Sequence, residues 1–259
     1  MRIATFNLMH GRSPKHLEVR ESDLRDAAAQ IDADVLGMQE VDRNQERSGC
    51  ADQTTVVAEA LGAAWSRFVP ALDGTPSHVV TWTASSDDDG SATTGPTYGV
   101  GLVSRLPVRE WHVRRFAPAP VSLPLMVPGV KGLPRIPDEP RLALAAVIDG
   151  PRGPFTVVTA HLSFVPGWNV AQLRALTKWA SMLPGPRLVA GDLNLPGILP
   201  RAVSGWRQLA RTATYPSYRP RLQFDHVLAH GMPPSMTHRA HALRLPVSDH
   251  CAVAVDLEL

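Results

Sequence analysis

The sequence of 259 residues has little cysteine and no long hydrophobic segment. Its two cysteines, Cys50 and Cys251, are too few for a disulfide framework or for a zinc site built on cysteine. Its longest apolar stretches fall well short of the roughly 20 residues that a transmembrane helix requires, and no extended apolar segment follows Met1. We therefore expect no membrane span, no signal peptide and a cytoplasmic location.

An excess of one charge sign is also absent. The 26 basic and 24 acidic residues give a formal net charge of +2, whereas a dedicated duplex-DNA-binding protein would carry a strongly basic face. Hydrophobic residues make up 44% and charged residues 19%, which is ordinary for a globular protein and excludes wholesale disorder. A chain of this length buries a sufficient core by itself. Because no linker or internal repeat divides it, we expect one domain over residues 1–259 and no obligate protein partner.

Short strand-like runs bounded by turn residues outnumber the segments with helical periodicity. The predicted strands are Ile3–Leu8, Val35–Val41, Trp65–Val69, His78–Thr83, Gly99–Ser104, Val108–Phe116, Arg141–Ile148, Phe155–Ala160, Arg187–Ala190, Phe224–Ala229 and Ala252–Leu257. The predicted helices are Glu21–Ile31, with Ser22 or Asp23 as its N-terminal cap, Gln53–Leu61 and Val170–Leu183. Ala84–Thr97 and Ala117–Pro140 are predicted to be long irregular loops.

Polar side chains with catalytic chemistry stand at the ends of several apolar strands. This placement costs desolvation free energy unless the groups meet in a shared site. Asp192 and Asn194 are two residues apart, so in an extended chain they face the same pocket. The other polar residues at strand ends are Asn7, Gln39, Glu40, His161, Asp225, Asp249 and His250. We expect this set to converge on one site.

Seven short motifs occur in order across nearly the whole chain. They are Thr5-Phe6-Asn7, Gln39-Glu40-Val41-Asp42, Tyr98-Gly99-Val100-Gly101-Leu102-Val103-Ser104-Arg105, Thr159-Ala160-His161-Leu162, Gly191-Asp192-Leu193-Asn194, Phe224-Asp225-His226 and Ser248-Asp249-His250. Each is weak alone, but the joint order is specific. On these motifs the sequence resembles the endonuclease/exonuclease/phosphatase superfamily, which includes pancreatic deoxyribonuclease, the apurinic-site endonucleases, the neutral sphingomyelinases and the inositol polyphosphate phosphatases.

The resemblance carries expectations for the fold and the chemistry. It implies an α/β (α+β) fold, a deoxyribonuclease-like four-layer α/β/β/α sandwich of two mostly antiparallel sheets, with the active site at one end. His10-Gly11, Asp42-Arg43 and Arg47-Ser48-Gly49 also look like a bacterial branch described only as metal-dependent hydrolases. That branch says little about the substrate.

Hydrolysis of a phosphate ester requires charge neutralisation, an activated water and in-line geometry. Glu40 is predicted to be the main carboxylate ligand of Mg²⁺ or Mn²⁺, with Asn7, Asp192 and Asp249 completing an oxygen-rich set. Asp192 is also predicted to orient or deprotonate the attacking water, and Asn194 to hydrogen-bond that water or a phosphate oxygen. The absence of a His-Glu-x-x-His or paired-cysteine spacing disfavours zinc.

Two histidines complete the predicted catalytic set. His250 is predicted to stabilise the charge of the reacting phosphoryl group or to act as a base, while Asp225 keeps its imidazole cationic. His161 is predicted to donate to a non-bridging phosphate oxygen or to protonate the leaving group. A histidine at this motif resembles the deoxyribonuclease, sphingomyelinase and inositol-phosphatase branches, whereas the apurinic-site enzymes lack it. The deoxyribonuclease branch pairs it with a glutamate, which the sequence does not identify among residues 78–83.

Four residues are predicted to contact the substrate, namely Arg43, Arg47, Tyr98 and His10. Arg43 and Arg47 follow Glu40 closely, which favours contact with a phosphate group. An ordinary surface position is the alternative for both arginines, and His10 is equally well read as a loop residue. The acidic run Asp87–Asp89 and the modest net charge favour a small or single-stranded substrate over a long polyanion.

The leading hypothesis is a divalent-metal-dependent phosphoesterase that acts on a phosphodiester or phosphomonoester. A second hypothesis is a non-specific nuclease of DNA or RNA that grips the backbone with basic residues of the long loop region, namely Arg114, Arg115, Lys131, Arg135 and Arg141. A third is a catalytically silent binding module on the same scaffold. The third is disfavoured because every main motif residue is intact.

Overall fold

A computed structural model of the protein describes residues 1–77, 80–88, 94–125, 132–233, 236 and 238–258. The helices are α1 (Glu21–Ile31), α2 (Gln53–Leu61), α3 (Trp168–Ala180) and α4 (Leu199–Ser204). The strands are β1 (Arg2–Asn7), β2 (Val35–Arg43), β3 (Trp65–Asp73), β4 (Thr83–Ala84), β5 (Thr97–Ser104), β6 (Val108–Phe116), β7 (Ser122–Pro124), β8 (Arg135–Pro137), β9 (Arg141–Gly150), β10 (Gly153–His161), β11 (Arg187–Asp192), β12 (Arg207–Gln208), β13 (Asp225–His230), β14 (His238–Leu243) and β15 (Ala252–Leu257). Short 3₁₀ turns lie at Met9–Gly11 and Glu46–Ser48.

Two large sheets form the framework. The first has seven strands in the order β14-β15-β1-β2-β5-β3-β4, and the second has six in the order β12-β13-β11-β10-β9-β6. The pairs β1–β2 and β10–β11 are parallel, and their neighbouring pairs are antiparallel. β7 and β8 form a separate hairpin.

The central strands of both sheets are apolar on both faces because the two faces of each sheet are covered there. Between the sheets lies a core that includes Leu102, Leu144 and Phe155. A second apolar cluster packs α1 and α2 on the outer face of the first sheet, and a third packs α3 on the outer face of the second sheet. This arrangement is the predicted four-layer α/β/β/α sandwich of mostly antiparallel sheets.

A buried hydrogen-bond network joins the two sheets behind one end of the sandwich. The Gln39 side-chain amide donates to the hydroxyl oxygens of Thr5, at 3.0 Å, and of Thr159 on the opposite sheet, at 2.8 Å. The sheets approach closely here, since a Cβ on Gly37 would lie 2.7 Å from the Thr159 side chain. Satisfied buried polar networks of this kind fix the relative position of the elements they connect. The network therefore sets the distance between the motif residues of the two sheets.

The helix boundaries agree well with the sequence pattern, but the predicted cap of α1 is wrong. The helix begins at Glu21, directly after Arg20, which has an extended backbone and no side-chain cap hydrogen bond. Ser22 and Asp23 therefore lie within the first turn, where Glu21 and Asp23 instead interact favourably with the helix dipole. α3 begins two residues earlier than predicted and ends three residues earlier, at Ala180.

Several strand predictions also need correction. Residues 80–82 of the predicted strand His78–Thr83 form no strand, while His78 and Val79 lie outside the described residues. The predicted loop Ala117–Pro140 contains the hairpin β7–β8. The edge strands β12 and β14 were not predicted, because β12 is two residues long and β14 is mostly exposed and lacks an apolar face.

Among the described residues, no helix combines the length and the apolar character that a membrane crossing requires.

Candidate active site

The carboxylate of Asp192 is the centre of the predicted cluster. Its Oδ2 atom lies 3.0 Å from Asn7 Nδ2, 3.8 Å from His161 Nε2 and 3.9 Å from His250 Nε2. Its Oδ1 atom accepts the Asn194 backbone N–H at 3.0 Å. The strands explain the convergence, since Asn7 ends β1, and His161 pairs with Asp192 at the ends of the parallel strands β10 and β11.

Asp225 and His250 form a buried acid–histidine pair beside this centre. His250 Nδ1 lies 2.8 Å from Asp225 Oδ2, and the ring of Tyr215 packs 5.0 Å from the imidazole. Burial lowers the pKa of His250, but the charge and hydrogen bond of Asp225, with smaller contributions from Asp192 and Asp249, outweigh it and raise the pKa to about 10. The imidazole is therefore a cation at neutral pH and presents Nε2–H towards Asp192.

Asn7 bridges two carboxylates with its amide nitrogen. Nδ2 donates to Glu40 Oε1 and to Asp192 Oδ2, each at 3.0 Å, while Oδ1 accepts the Met9 backbone N–H at 3.0 Å. A metal ligand would have to present the oxygen, and in this orientation the oxygen faces the backbone. The contacts seen here hold Glu40 and Asp192 in place, and ligation by Asn7 stays a prediction.

Unusual backbone conformations cluster at the site. Glu40 has φ 55° at a bulge between Met38 and Val41, where β2 shifts register against β5. His10, Asn194 and Ser248 also have positive φ, at 48°, 50° and 74°. Such conformations are costly for non-glycine residues and persist where the surrounding structure holds them, often at functional sites. The bulge turns the Glu40 side chain towards Asn7.

The carboxylates around Asn7 carry poorly compensated negative charge. Burial and the neighbouring Asp249 raise the pKa of Glu40 to about 7, and burial and Asp225 raise the pKa of Asp192 to about 6. Burial also raises the pKa of Asp249, which is half-buried. Asp225 Oδ1 is buried and has no hydrogen-bond partner among the described residues. Oxygen donors crowded in this way match the preference of a hard divalent cation, so the residues present fit Mg²⁺ or Mn²⁺.

A tighter group of three possible ligands consists of Asp192, Asp225 and His250, whose donor atoms all lie within 4.8 Å of one another. The 2.8 Å separation of Asp225 Oδ2 and His250 Nδ1 is that of a hydrogen bond. Asp225 Oδ2 and His250 Nδ1 thus occupy each other, which favours Asp192 and the Glu40 side of the cluster as the place for a cation.

The partner of His161 is Arg141, which sequence reasoning had placed among the arginines of a nucleic-acid grip. That assignment is wrong, because Arg141 begins β9, is 5% exposed and lies with Nη1 3.0 Å from His161 Nδ1. Arg141 also approaches Asp138 and Glu139, at 3.6 and 3.5 Å. Since a guanidinium only donates, His161 Nδ1 accepts and the imidazole proton sits on Nε2. Burial and the charge of Arg141 hold the pKa of His161 well below its usual range.

The predicted substrate contacts divide into two groups. Arg47 donates to Asp42 through Nε at 2.8 Å and Nη2 at 2.6 Å, and its guanidinium lies 5.7 Å from the centre of the buried Tyr98 ring. The charges of Glu40 and Arg47 both act on Tyr98, so these residues border the cluster. Arg43 instead pairs with Asp52 at 2.9 Å and lies over the ring of Phe68. These two contacts lie outside the cluster, and substrate contact by Arg43 stays a prediction.

The side chain of Asn194 is turned towards the strand ends. Its Nδ2 donates to the Leu162 carbonyl oxygen at 2.9 Å, and the backbone carbonyl oxygen of Asn194 accepts from Asn169 Nδ2 at 2.8 Å. Together with the backbone contact to Asp192, these bonds fix the turn that follows β11. Asn194 thus positions Asp192, and its predicted contact with water or phosphate stays a prediction.

The model of the Endonuclease/Exonuclease/phosphatase family matches residues 4–250. The chain belongs to this family. Its members are phosphoesterase hydrolases, and the motif residues at the strand ends are those brought together around Asp192. No curated protein sequence gives a significant match.

Solved structures show the same fold at low sequence identity. An endonuclease/exonuclease/phosphatase from Beutenbergia cavernae is 22% identical with a TM-score of 0.64, over 100% of this chain and 71% of that one. A mannosyl-6-phosphatase from Bacteroides thetaiotaomicron is 17% identical with a TM-score of 0.61, over 100% of both chains. A beta toxin mutant from Staphylococcus aureus, with bound magnesium ions, is 12% identical with a TM-score of 0.61, over 98% of both chains.

Some residues of the site carried no motif signal in the sequence. Glu139 is half-buried beside Arg141, near the charges of Asp138 and Arg47, and burial raises its pKa. Arg12 lies near Asp249 because its carbonyl oxygen accepts the Ser248 N–H at 2.8 Å. The available signal for the first region was the acidic pair Asp138-Glu139, which ends one residue before an apolar strand. The signal for the second region was the basic residue two places after His10.

Proposed function

We propose that this chain is a divalent-metal-dependent phosphoesterase that hydrolyses a phosphodiester or phosphomonoester by in-line attack of water. The observation that carries the proposal is that Asn7 links the half-buried carboxylate of Glu40 to the buried carboxylate of Asp192, next to the Asp225–His250 pair. Burying several carboxylates together costs desolvation and repulsion free energy, which a purely structural role does not require. A bound cation and an anionic substrate offset that cost.

The metal would be held by carboxylate oxygens of Glu40, Asp192 and Asp249. When bound, Mg²⁺ or Mn²⁺ would neutralise phosphate charge and increase the acidity of a bound water. Asn7 keeps the Glu40 and Asp192 carboxylates at a fixed separation through its two hydrogen bonds. This preorganisation lowers the reorganisation required during the reaction.

Asp192 acts on the attacking water, and His250 acts on the phosphoryl group. The Asn194 N–H fixes Asp192 Oδ1, which leaves Oδ2 to orient the attacking water and accept its proton. His250, held as a cation by Asp225, directs Nε2–H to the same place and stabilises negative charge on the phosphoryl oxygens. Attack and charge stabilisation therefore occur within one hydrogen-bonded cluster.

His161 serves as a neutral hydrogen-bond donor. Its Nε2–H faces the cluster, since Nδ1 accepts from Arg141. A histidine whose pKa lies well below its usual range is a poor proton source at neutral pH, so donation to a non-bridging phosphate oxygen is favoured over protonation of the leaving group.

The preferred substrate is small or single-stranded. Of the arginines that would grip a long nucleic acid, Arg141 is buried against His161 and Arg115 is bonded to Asp88 Oδ1 and to the carbonyl oxygens of Pro70 and Asp87. Lys131 and Asp89 lie outside the described residues. The Arg115–Asp88 pair also offsets one of the acidic charges that are expected to repel a polyanion. The preference for a small substrate is therefore supported better by the occupied arginines than by the acidic run.

The test is hydrolysis of a substrate panel by the purified protein with Mg²⁺, with Mn²⁺ and with EDTA. The panel contains bis(p-nitrophenyl) phosphate, p-nitrophenyl phosphate, nucleotides, sugar and inositol phosphates, phospholipids and plasmid DNA. Hydrolysis of at least one ester with metal, its loss with EDTA and its loss in Glu40→Gln are expected. Glu46→Gln is the matched control, since Glu46 is exposed. Activity that survives EDTA, or no hydrolysis anywhere in the panel, would contradict the proposal.

A further inference from the structure

A pocket of about 620 Å³ opens beside the carboxylate cluster. Its lining residues are His10, Arg12, Leu17, Glu18, Val19 and Arg47. Glu18 is exposed and bonded to Arg20 Nη2 at 2.7 Å, so its charge is already offset. The remaining polar lining consists of two arginines and an imidazole, which suits an anion.

Two residues that line the pocket, Arg12 and Arg47, lie next to the carboxylate cluster. Arg12 accepts the N–H of Ser248, the residue before Asp249, and its charge is among those that oppose the burial-driven rise in the pKa of Asp249. On the other wall, burial lowers the pKa of Arg47, whereas Asp42 and the more distant Glu40 raise it. Both arginines therefore interact electrostatically with carboxylates of the cluster, and a group attached to a phosphate bound there would experience their positive charge.

The wall formed by the Met9–Gly11 turn is held rigidly. Met9 and His10 have φ 45° and 48°. Gln53 stabilises the turn, because its Nε2 donates to the His10 carbonyl oxygen at 2.7 Å while its Oε1 accepts the Asp42 N–H at 2.9 Å. A Cβ on Gly11 would lie 2.9 Å from the same Nε2 atom. Strained backbone kept in place by such contacts is characteristic of binding sites.

The arginines of the pocket keep donors for a ligand. Asp42 occupies Nε and Nη2 of Arg47, which leaves Nη1. Arg12 donates only Nε, to the Leu17 carbonyl oxygen at 3.2 Å, and forms no ion pair with any described residue. Guanidinium groups bind carboxylate and phosphate oxygens well because of their planar, forked donors.

We propose that the pocket of His10, Arg12 and Arg47 binds a second anionic group on the alcohol part of the substrate, so that the substrate is a phosphate ester with an additional phosphate or carboxylate. The inference rests on the proposed phosphoesterase function and names its substrate class. Arg12 and Arg47 supply the charged hydrogen bonds. His10, which burial and then Arg47 and Arg12 hold neutral by lowering its pKa to about 3, supplies an uncharged one.

The experiment compares matched substrates that differ only in the second group. 3-Phosphoglycerate and glycerol 3-phosphate test a carboxylate, while glucose 1,6-bisphosphate and glucose 6-phosphate test a second phosphate. We expect kcat/KM to favour the doubly anionic member of at least one pair by tenfold or more. Arg12→Gln should reduce this preference to below threefold, mainly through KM, and Arg12→Lys should retain part of it. Arg239→Gln, which removes an exposed arginine of β14, should retain all of it.

The results that would overturn the inference can be distinguished from a failure of the phosphoesterase proposal. If the protein hydrolyses phosphate esters without preference for the second anion, or if Arg12→Gln keeps the full preference, the pocket does not select the substrate. If no ester is hydrolysed, calorimetric binding of 3-phosphoglycerate in Mg²⁺ tests the pocket separately. A tenfold weaker Kd in Arg12→Gln than in Arg239→Gln supports the pocket, and equal Kd values reject it.

Discussion

Arg141 Nη1 lies 3.0 Å from His161 Nδ1, so the partner of this histidine is a cation and not a carboxylate. The contact fixes the proton of the imidazole on Nε2, which faces Asp192. It also disfavours protonation of His161, because a second positive charge would form beside the guanidinium. Arg141 is therefore a positioning residue that sets the tautomer of a histidine in the site.

Replacement of Arg141 by Met should release His161 from this tautomer. We expect kcat to fall at least tenfold, with the ¹⁵N chemical shifts of His161 changing from those of the pure Nε2–H form to those of a mixture. Arg141→Lys, which keeps a donor, should preserve more of both properties. Arg114→Met is the control, since Arg114 is exposed on β6. An unchanged tautomer in Arg141→Met would refute the positioning role.

Asp192→Asn keeps the shape of the side chain and removes its charge. We expect kcat to fall by about 10²–10⁴, the usual contribution of a general base. The thermal unfolding midpoint at pH 7 should stay equal or rise, because burial and Asp225 raise the pKa of Asp192 to about 6 and thereby make its ionised form unfavourable in the folded state. Asp26→Asn, on the exposed face of α1, should change neither property. Full activity in Asp192→Asn would remove Asp192 from the mechanism.

How much of this site the sequence predicts depends on where each residue lies. His161 and Asp192 end paired parallel strands and Asp225 pairs with Asp192, so motif spacing and strand order suffice to bring these three together. Asn7 ends β1 of the other sheet and meets Asp192 only through the packing of the two sheets. The role of Arg141 depends on the register of β9 against β10, in which Leu142 pairs with His161, and no local pattern encodes that register.

The prediction of strands is limited in the same way, because pairing between distant segments leaves no local sequence pattern. Strands buried on both faces have a clear apolar pattern, and they were predicted. The exposed edge strand β14 is specified by its backbone pairing with β15, so its polar sequence gave no signal. Arg43 pairs with Asp52, and its predicted contact with the substrate stays a prediction.

His10 should make the protein sensitive to acid. Burial, Arg47 and Arg12 lower its folded-state pKa to about 3, against about 6.5 in an unfolded chain, so the unfolded state binds the extra proton. The stability contribution is present above about pH 6.5 and is lost as the pH falls towards 3. Between pH 7 and 4.5 the free energy of unfolding should fall in both proteins. We expect this fall, measured by urea unfolding, to be about 1–2 kcal/mol smaller in His10→Gln than in the wild type. An equal drop in both proteins would contradict this; the exposed His241→Gln is the control.

Gly191→Ala should damage the fold and the site together. Its Cβ would overlap the Ala160 backbone on the neighbouring strand, so β11 must move away from β10 next to Asp192. We expect the free energy of unfolding to fall by about 1–3 kcal/mol or more, and kcat to fall as well. Gly101→Ala should cost less, because its Cβ would meet side-chain atoms of Thr54, at 2.6 Å, that are able to rotate. Equal stability of Gly191→Ala and the wild type in urea unfolding would refute the close approach of the two strands.

The convergence of the carboxylates on one cation is tested most directly by anomalous diffraction from crystals soaked in Mn²⁺. The expected result is a manganese peak enclosed by the oxygens of Glu40, Asp192 and Asp249, which disappears in Glu40→Gln and persists in Glu46→Gln. A peak found only at exposed carboxylates away from Asn7, or no peak at saturating Mn²⁺, would contradict the proposed metal site.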